Sequence, residues 1–478
     1  MKKVILLSLL IVTTITIFSQ THNIKFKVTG ITDTTAILGY HAGTKTYVTD
    51  TVKINKKHEG IFSGKKILPQ GIYFIMFPSK KNYFDFVIDA DQNFSLITDT
   101  TEDFRKNLKF KGSEINILFN KLDKDLSAIN IEFVNASKKL KNKDISDEEK
   151  TKLHNKIKEL RGKRRKIILN YYNTTKNESF KDIIGLMLEP KVPEFKVPEN
   201  ITNKDSVLQQ KKYYYYKKHY WDYVNFQDSI ILRTPFFIPK FERYLSKIIL
   251  QDPDSVLKES VALIEKARGN KTIFSYLINY TLVYHEKAKL MGMDKVFVEI
   301  AKKYYATGEA TWADSAYNAK VIDKMKKTEP NLIGNYAPDI RNVETYNGEI
   351  TSLSKLKNDY IIIVFWSPTC GHCKKSIPKL YNIYNELLTS GIDVEVFSVL
   401  ESHDVTKWKK FIKEKGITKW INVYDKDQKT YFHYYYDIFS TPVIYVLDKH
   451  KKIIAKRISA EQAKDYIIQL ESIESAKK

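Results

Sequence analysis

Cys370 and Cys373 are the only cysteines in 478 residues, and they stand three apart. The run before them, Tyr360-Ile-Ile-Ile-Val-Phe-Trp366, is apolar and β-branched, as in a parallel strand buried on both faces. After them Ile377, Leu380, Ile383, Tyr384, Leu387 and Leu388 recur at helical steps of three and four. A strand therefore hands over to a helix at Cys370. Free N–H groups and the positive end of the helix dipole favour a thiolate there, and His372 adds positive charge or a hydrogen bond. Cys370 is expected to be the attacking nucleophile and Cys373, one turn on, the resolving thiol. A structural disulfide across so short a loop would constrain little of the unfolded chain. A zinc site needs about four ligands, of which this pair supplies half.

The stretch Phe365-Trp-Ser-Pro-Thr-Cys-Gly-His-Cys-Lys-Lys375 resembles the active site of the thioredoxin superfamily. With Ile333–Asp339, Gly348–Leu356 and Ser440-Thr-Pro-Val-Ile-Tyr-Val-Leu-Asp448, it is similar to the TlpA/ResA group of envelope thiol-disulfide oxidoreductases. The resemblance implies a cis Thr441–Pro442 bond beside the dithiol, with Thr441 backbone groups open to an extended substrate and Trp366 and Pro442 framing the site. It implies no cofactor. Val364 and Ser376 stand where relatives carry carboxylates that assist proton transfer, which leaves His372 or water for that step. The Gly-His dipeptide resembles protein disulfide isomerase, which by analogy places the couple nearer about −180 mV than about −270 mV.

Met1-Lys-Lys3, the apolar run Val4–Phe18 and the small-residue site Ser19-Gln20 read as a secretory signal peptide over 1–20. The expectation is an exported protein of the periplasm or cell envelope of a Gram-negative-type bacterium, soluble or peripherally membrane-associated, in a compartment where disulfides persist. The net charge of +23 is spread along the chain. It suits a solvated basic surface rather than a nucleic-acid partner.

Between 21 and 112, seven short alternating runs separated by turn signals argue for an antiparallel β-sandwich. Asp89, Asp91 and Asn93 read there as a turn rather than a calcium loop. From 113 to 330 the period becomes helical, with a long hairpin opened at its second helix by the Ser146–Glu149 capping box. Pro190, Pro193 and Pro198 mark a break, and the aromatic run Tyr213–Trp221 is expected to be core with wet phenolic tips. Residues 331–478 complete an α/β thioredoxin-like fold with helices on both faces of its sheet. With His219-Tyr-Trp-Asp222, Arg233-Thr-Pro235 and Gly292-Met-Asp294 in the middle region, the order of the three regions resembles a family of envelope proteins whose N-terminal β domain and middle helical domain are of unassigned function, which leaves the chemistry to the last third.

The expected activity is thiol-disulfide exchange with cysteine-bearing client proteins, slightly favoured as reduction, with a membrane or envelope electron donor restoring the dithiol. Two alternatives stay open. A thiol peroxidase would use Ser367 three before Cys370, although Ile363 stands where such enzymes have proline. A scaffold protein would carry the thioredoxin-like part as a tether.

Overall fold

A computed structural model describes residues 22–78, 83–101, 103–142, 144–288, 290–436, 438 and 440–476. The signal segment read at 1–20 lies outside them. Among the described residues no helix is long and apolar enough to cross a membrane. The chain divides into two compact units, Met1–Ile248 and Ile249–Lys478, so the division falls inside the stretch read as helical.

The first unit begins with the seven expected strands: β1 (His22–Thr29), β2 (Thr35–Ala42), β3 (Lys45–Lys53), β4 (Glu59–Gly64), β5 (Gly71–Met76), β6 (Tyr83–Ile88) and β7 (Asn93–Asp99). A one-turn helix α1 (Phe104–Asn107) and a short β8 (Lys109–Lys111) follow. They form two four-stranded sheets, β4-β1-β7-β8 and β3-β2-β5-β6. Alternation aims Ile24, Phe26 and Val28 of β1 and Phe84, Phe86 and Ile88 of β6 into one shared core. One pairing departs from the antiparallel expectation. β1 and β7 run parallel, since β7 returns to β1 only after the chain has built the other sheet. Asp89 and Asp91 close turns by accepting from the N–H groups of Asp91 and Asn93, both at 3.1 Å.

Ser113 caps α2 (Glu114–Leu140), and Ser146 accepts from the Glu149 N–H at 3.2 Å to open α3 (Asp147–Thr174), the second arm of the hairpin. α2 is tied to edge strand β6 by Asn116, which is fully buried. Its Oδ1 accepts from the Val87 N–H and its Nδ2 donates to the Val87 carbonyl, each at 2.7 Å. Asn116→Leu is expected to cost about 2–4 kcal/mol in urea unfolding, because it orphans two buried backbone groups.

The first unit closes with α4 (Glu178–Gly185), α5 (Lys204–His219) and α6 (Phe237–Arg243). The aromatic run only partly meets its expectation. α5 buries none of its residues, and Tyr213 and Tyr214 are exposed. Lysines at 204, 211, 212, 217 and 218 leave that helix no apolar stripe wide enough to bury. Burial starts at Tyr220 and Trp221, in the turn beyond it.

The second unit starts with α7 (Pro253–Lys266), capped by Asp252 with proline in its first turn, then α8 (Lys271–Glu286), α9 (Asp294–Ile300) and α10 (Ser315–Thr328). It continues through β9 (Val343–Thr345), β10 (Ile350–Thr351), β11 (Tyr360–Trp366), α11 (Gly371–Thr389), β12 (Val394–Leu400), α12 (Val405–Lys415), β13 (Ile421–Tyr424), α13 (Phe432–Tyr435), β14 (Val443–Asp448), β15 (Ile453–Lys456) and α14 (Ala460–Ser475). The sheet order is β10-β9-β13-β12-β11-β14-β15, with β11 parallel to β12 and antiparallel to β14. Every residue of β11 is buried. Its even-numbered side chains share a core with α11, α12 and α14. Its odd-numbered ones lie under the entry segment 337–356 and α13. The expectation of helices on both faces is thus met on one side mainly by irregular chain.

Lys456, at the end of β15, is buried beside the helical part of this unit. Its ammonium pairs with Asp294 and donates to the Asn331 carbonyl at 2.7 Å and Oδ1 at 2.9 Å. Asn331 in turn donates to the carbonyl of Tyr435 at 2.8 Å, in α13.

Candidate active site

Cys370 is the N-cap of α11, in extended backbone, and its Sγ accepts from the Cys373 N–H at 3.4 Å. The loop before it is closed by Cys370 N–H donating to the Ser367 carbonyl at 3.2 Å. Both thiols are free; Cys370 is partly exposed and Cys373 fully buried. The Thr441–Pro442 bond is cis, and it brings the Thr441 carbonyl to 3.2 Å from the Cys370 thiol, which donates to it.

The two sulfurs differ in acidity. Burial opposes ionisation of Cys370, but hydrogen bonding from the Thr441 and Cys373 side chains and from the backbone N–H groups of Cys373 and His372 outweighs it, and the thiol is held below its ordinary value. Burial pushes Cys373 up to about 12, against smaller lowering by the Ser367 backbone and the Thr441 side chain. The attacking geometry and the acidity thus fall on the same sulfur.

Of the residues singled out in the sequence, Cys370, Cys373, Thr441 and Pro442 come together. His372 is exposed, and its backbone N–H is among the groups that hold the Cys370 thiol below its ordinary value. Trp366 does not reach the surface. It is fully buried, its indole donates to Ser398 Oγ at 2.7 Å, and its ring lies 5.1 Å from that of Phe411. It supports the dithiol loop from inside, because its place as the last residue of a doubly buried strand aims it into the α11 core. Val364, at the position of the missing carboxylate, is buried in the same core as Cys373.

Sequence reasoning missed one contribution. A hydroxyl chain braces the loop: Ser367 Oγ lies 2.9 Å from Thr369 Oγ1 and donates to Ser402 Oγ at 3.1 Å. Serines 35 positions apart carry no local signal of that pairing.

Residues 137–330 match the model of a domain of unknown function (DUF5106), and residues 333–456 match that of the AhpC/TSA family. No curated protein matches the chain. Among solved structures, a domain of a possible thiol-disulfide isomerase from Cytophaga hutchinsonii is 36% identical over 30% of this chain and 97% of that one, with a TM-score of 0.28. The thioredoxin domain of a thiol-disulfide oxidoreductase from Bacteroides vulgatus is 27% identical over 29% and 96%, with a TM-score of 0.27. A thioredoxin-like protein from Bacteroides caccae is 20% identical over 59% and 97%, with a TM-score of 0.46. Residues 333–456 thus carry the AhpC/TSA family match on the mixed α/β sheet of a thioredoxin-like fold.

Proposed function

We propose that this protein is an exported thiol-disulfide oxidoreductase of the cell envelope that exchanges disulfides with cysteine-bearing client proteins. The observation that carries the reading is the asymmetry of the pair: an accessible sulfur held toward thiolate at a helix N-terminus, and a buried one of raised pKa one turn behind it. The reading of export rests on the N-terminal segment Met1–Gln20.

In the reductive direction, the Cys370 thiolate attacks one sulfur of a client disulfide. The client S–S bond breaks, a mixed disulfide forms, and the departing client sulfur takes up a proton. Cys373 then attacks the Cys370 sulfur, the second client sulfur leaves as a thiol, and a Cys370–Cys373 disulfide remains. Two electrons have passed to the client, and a membrane or envelope dithiol donor returns them. With Val364 and Ser376 in place of carboxylates, the proton of Cys373 has the leaving client thiolate as its acceptor. The peroxidase alternative is weakened by Ser367, whose hydroxyl is engaged with Thr369 and Ser402.

Cys373→Ser is expected to accumulate mixed disulfides with envelope proteins on non-reducing gels, all released by dithiothreitol, while Cys370→Ser captures none. Equal capture by both variants, or partner binding unchanged by loss of both thiols, would favour the scaffold alternative.

A further inference from the structure

A cavity of about 550 Å³ opens beside the dithiol loop, between the end of β12 and the segment around α13. Its near wall is fastened to that loop, because Ser402 accepts from Ser367 and the Glu401 N–H donates to the Trp366 carbonyl at 2.9 Å. The mouth is aromatic: Tyr431 is 69% exposed and Tyr434 is 37% exposed. Tyr431 stands at φ 52°, in the left-handed region that a bulky residue rarely adopts, and Gln428 in the same loop stands at φ 53°. Asp425 holds this loop, its carboxylate accepting from the N–H groups of Lys429 and Thr430 at 3.1 and 2.9 Å and from the Thr430 hydroxyl at 2.7 Å. A strained tyrosine is thus fixed over a cavity without being used to fill a core.

The charge inside the cavity narrows the choice of occupant. Glu401 is half-buried, and its carboxylate makes no hydrogen bond or ion pair with any described residue. His433, electrostatically coupled to Glu401, is held toward its neutral form by burial and offers no counter-charge. The lysine on the rim, Lys426, is paired with Glu344. An apolar guest would bury an uncompensated carboxylate, whereas a cation would pair with it. Tyr434 already has the Lys327 ammonium 5.3 Å from its ring centroid, so a ring of this mouth takes a cation.

We propose that this cavity is a client-recognition site that takes an arginine or lysine side chain lying within a few residues of the client's reactive cysteine. The inference rests on the exchange reaction proposed above. It is a local preference that runs against the overall charge of +23, which repels cationic partners at long range.

The test uses three disulfide-linked peptide homodimers that differ only in the residue two positions from cysteine: Arg, Ala or Glu. The expected kcat/KM for reduction by the full-length protein is about tenfold higher for Arg than for Ala, the factor one desolvated ion pair with ring stacking supplies. In Glu401→Gln that ratio is expected to fall below about two, and in Glu401→Lys the Glu peptide becomes the preferred one. Tyr431→Ala is expected to lower the ratio about threefold. A wild-type ratio near one, or a ratio untouched by Glu401→Gln, overturns the inference and leaves the exchange reading standing. Reduction of none of the three peptides overturns the exchange reading, and this inference with it.

Discussion

Iodoacetamide will label Cys370 at pH 7 more than about tenfold faster than Cys373. The reagent reacts with thiolate, so the ratio is set by the ionised fractions, partly offset by the greater nucleophilicity of the more basic thiolate, before accessibility is counted. With its pKa pushed up to about 12, Cys373 is ionised in only about one molecule in 10⁵ at pH 7. Cys370, held below the ordinary thiol value, carries a far larger thiolate fraction. Full burial of Cys373 slows its reaction further. The pH dependence carries the same signature. Labelling of Cys370 should rise with pH and level off below the range of an ordinary thiol, whereas labelling of Cys373 should still be climbing well above it. Timed pulses read by peptide mass spectrometry decide the matter, and comparable rates at the two positions would remove the basis for assigning them different roles.

The second large effect is expected at Lys456→Met. A lysine ammonium is tolerated in a protein interior only with its charge paired and its protons placed. Lys456 meets both conditions through Asp294 and Asn331. Methionine fills nearly the same space but leaves the Asp294 carboxylate beside an apolar side chain and two Asn331 oxygens without their donor. The expected loss is about 3–5 kcal/mol in denaturant unfolding of the second unit, the range for breaking one side of a buried pair. Removing both charges, as in Lys456→Met with Asp294→Leu, should recover much of it, because the desolvation cost of the pair disappears with the pair. A double variant no more stable than Lys456→Met would show that packing, rather than charge, sets the loss.

What could be read from the chain was local. The seven N-terminal strands follow from alternation and turn residues. The dithiol junction was legible because a strand, a cap and a helix face abut within thirty residues. What escaped was non-local. The parallel pairing of β1 with β7 joins segments about seventy residues apart, and no pattern in either strand distinguishes it from an antiparallel one. The burial of Lys456 depends on Asp294, far back in the helical stretch, so its sequence context reads as an exposed strand end. Trp366 was legible as a neighbour of the site but not as a buried one, since the direction of its ring depends on which sheet face α11 covers. The left-handed tyrosine at 431 had no signal at all, because neither glycine nor asparagine marks the position.

Asn116 has a consequence beyond the stability it confers. Edge strands with open N–H and C=O groups are templates on which a stray strand from another molecule can add, and that addition is the first step of sheet-mediated aggregation. By spending both amide groups of its side chain on Val87, Asn116 occupies the place such an intruder would take on β6. A chain lacking it would be not only easier to unfold but also stickier, and its losses at high concentration would appear as oligomers and precipitate as well as denatured monomer.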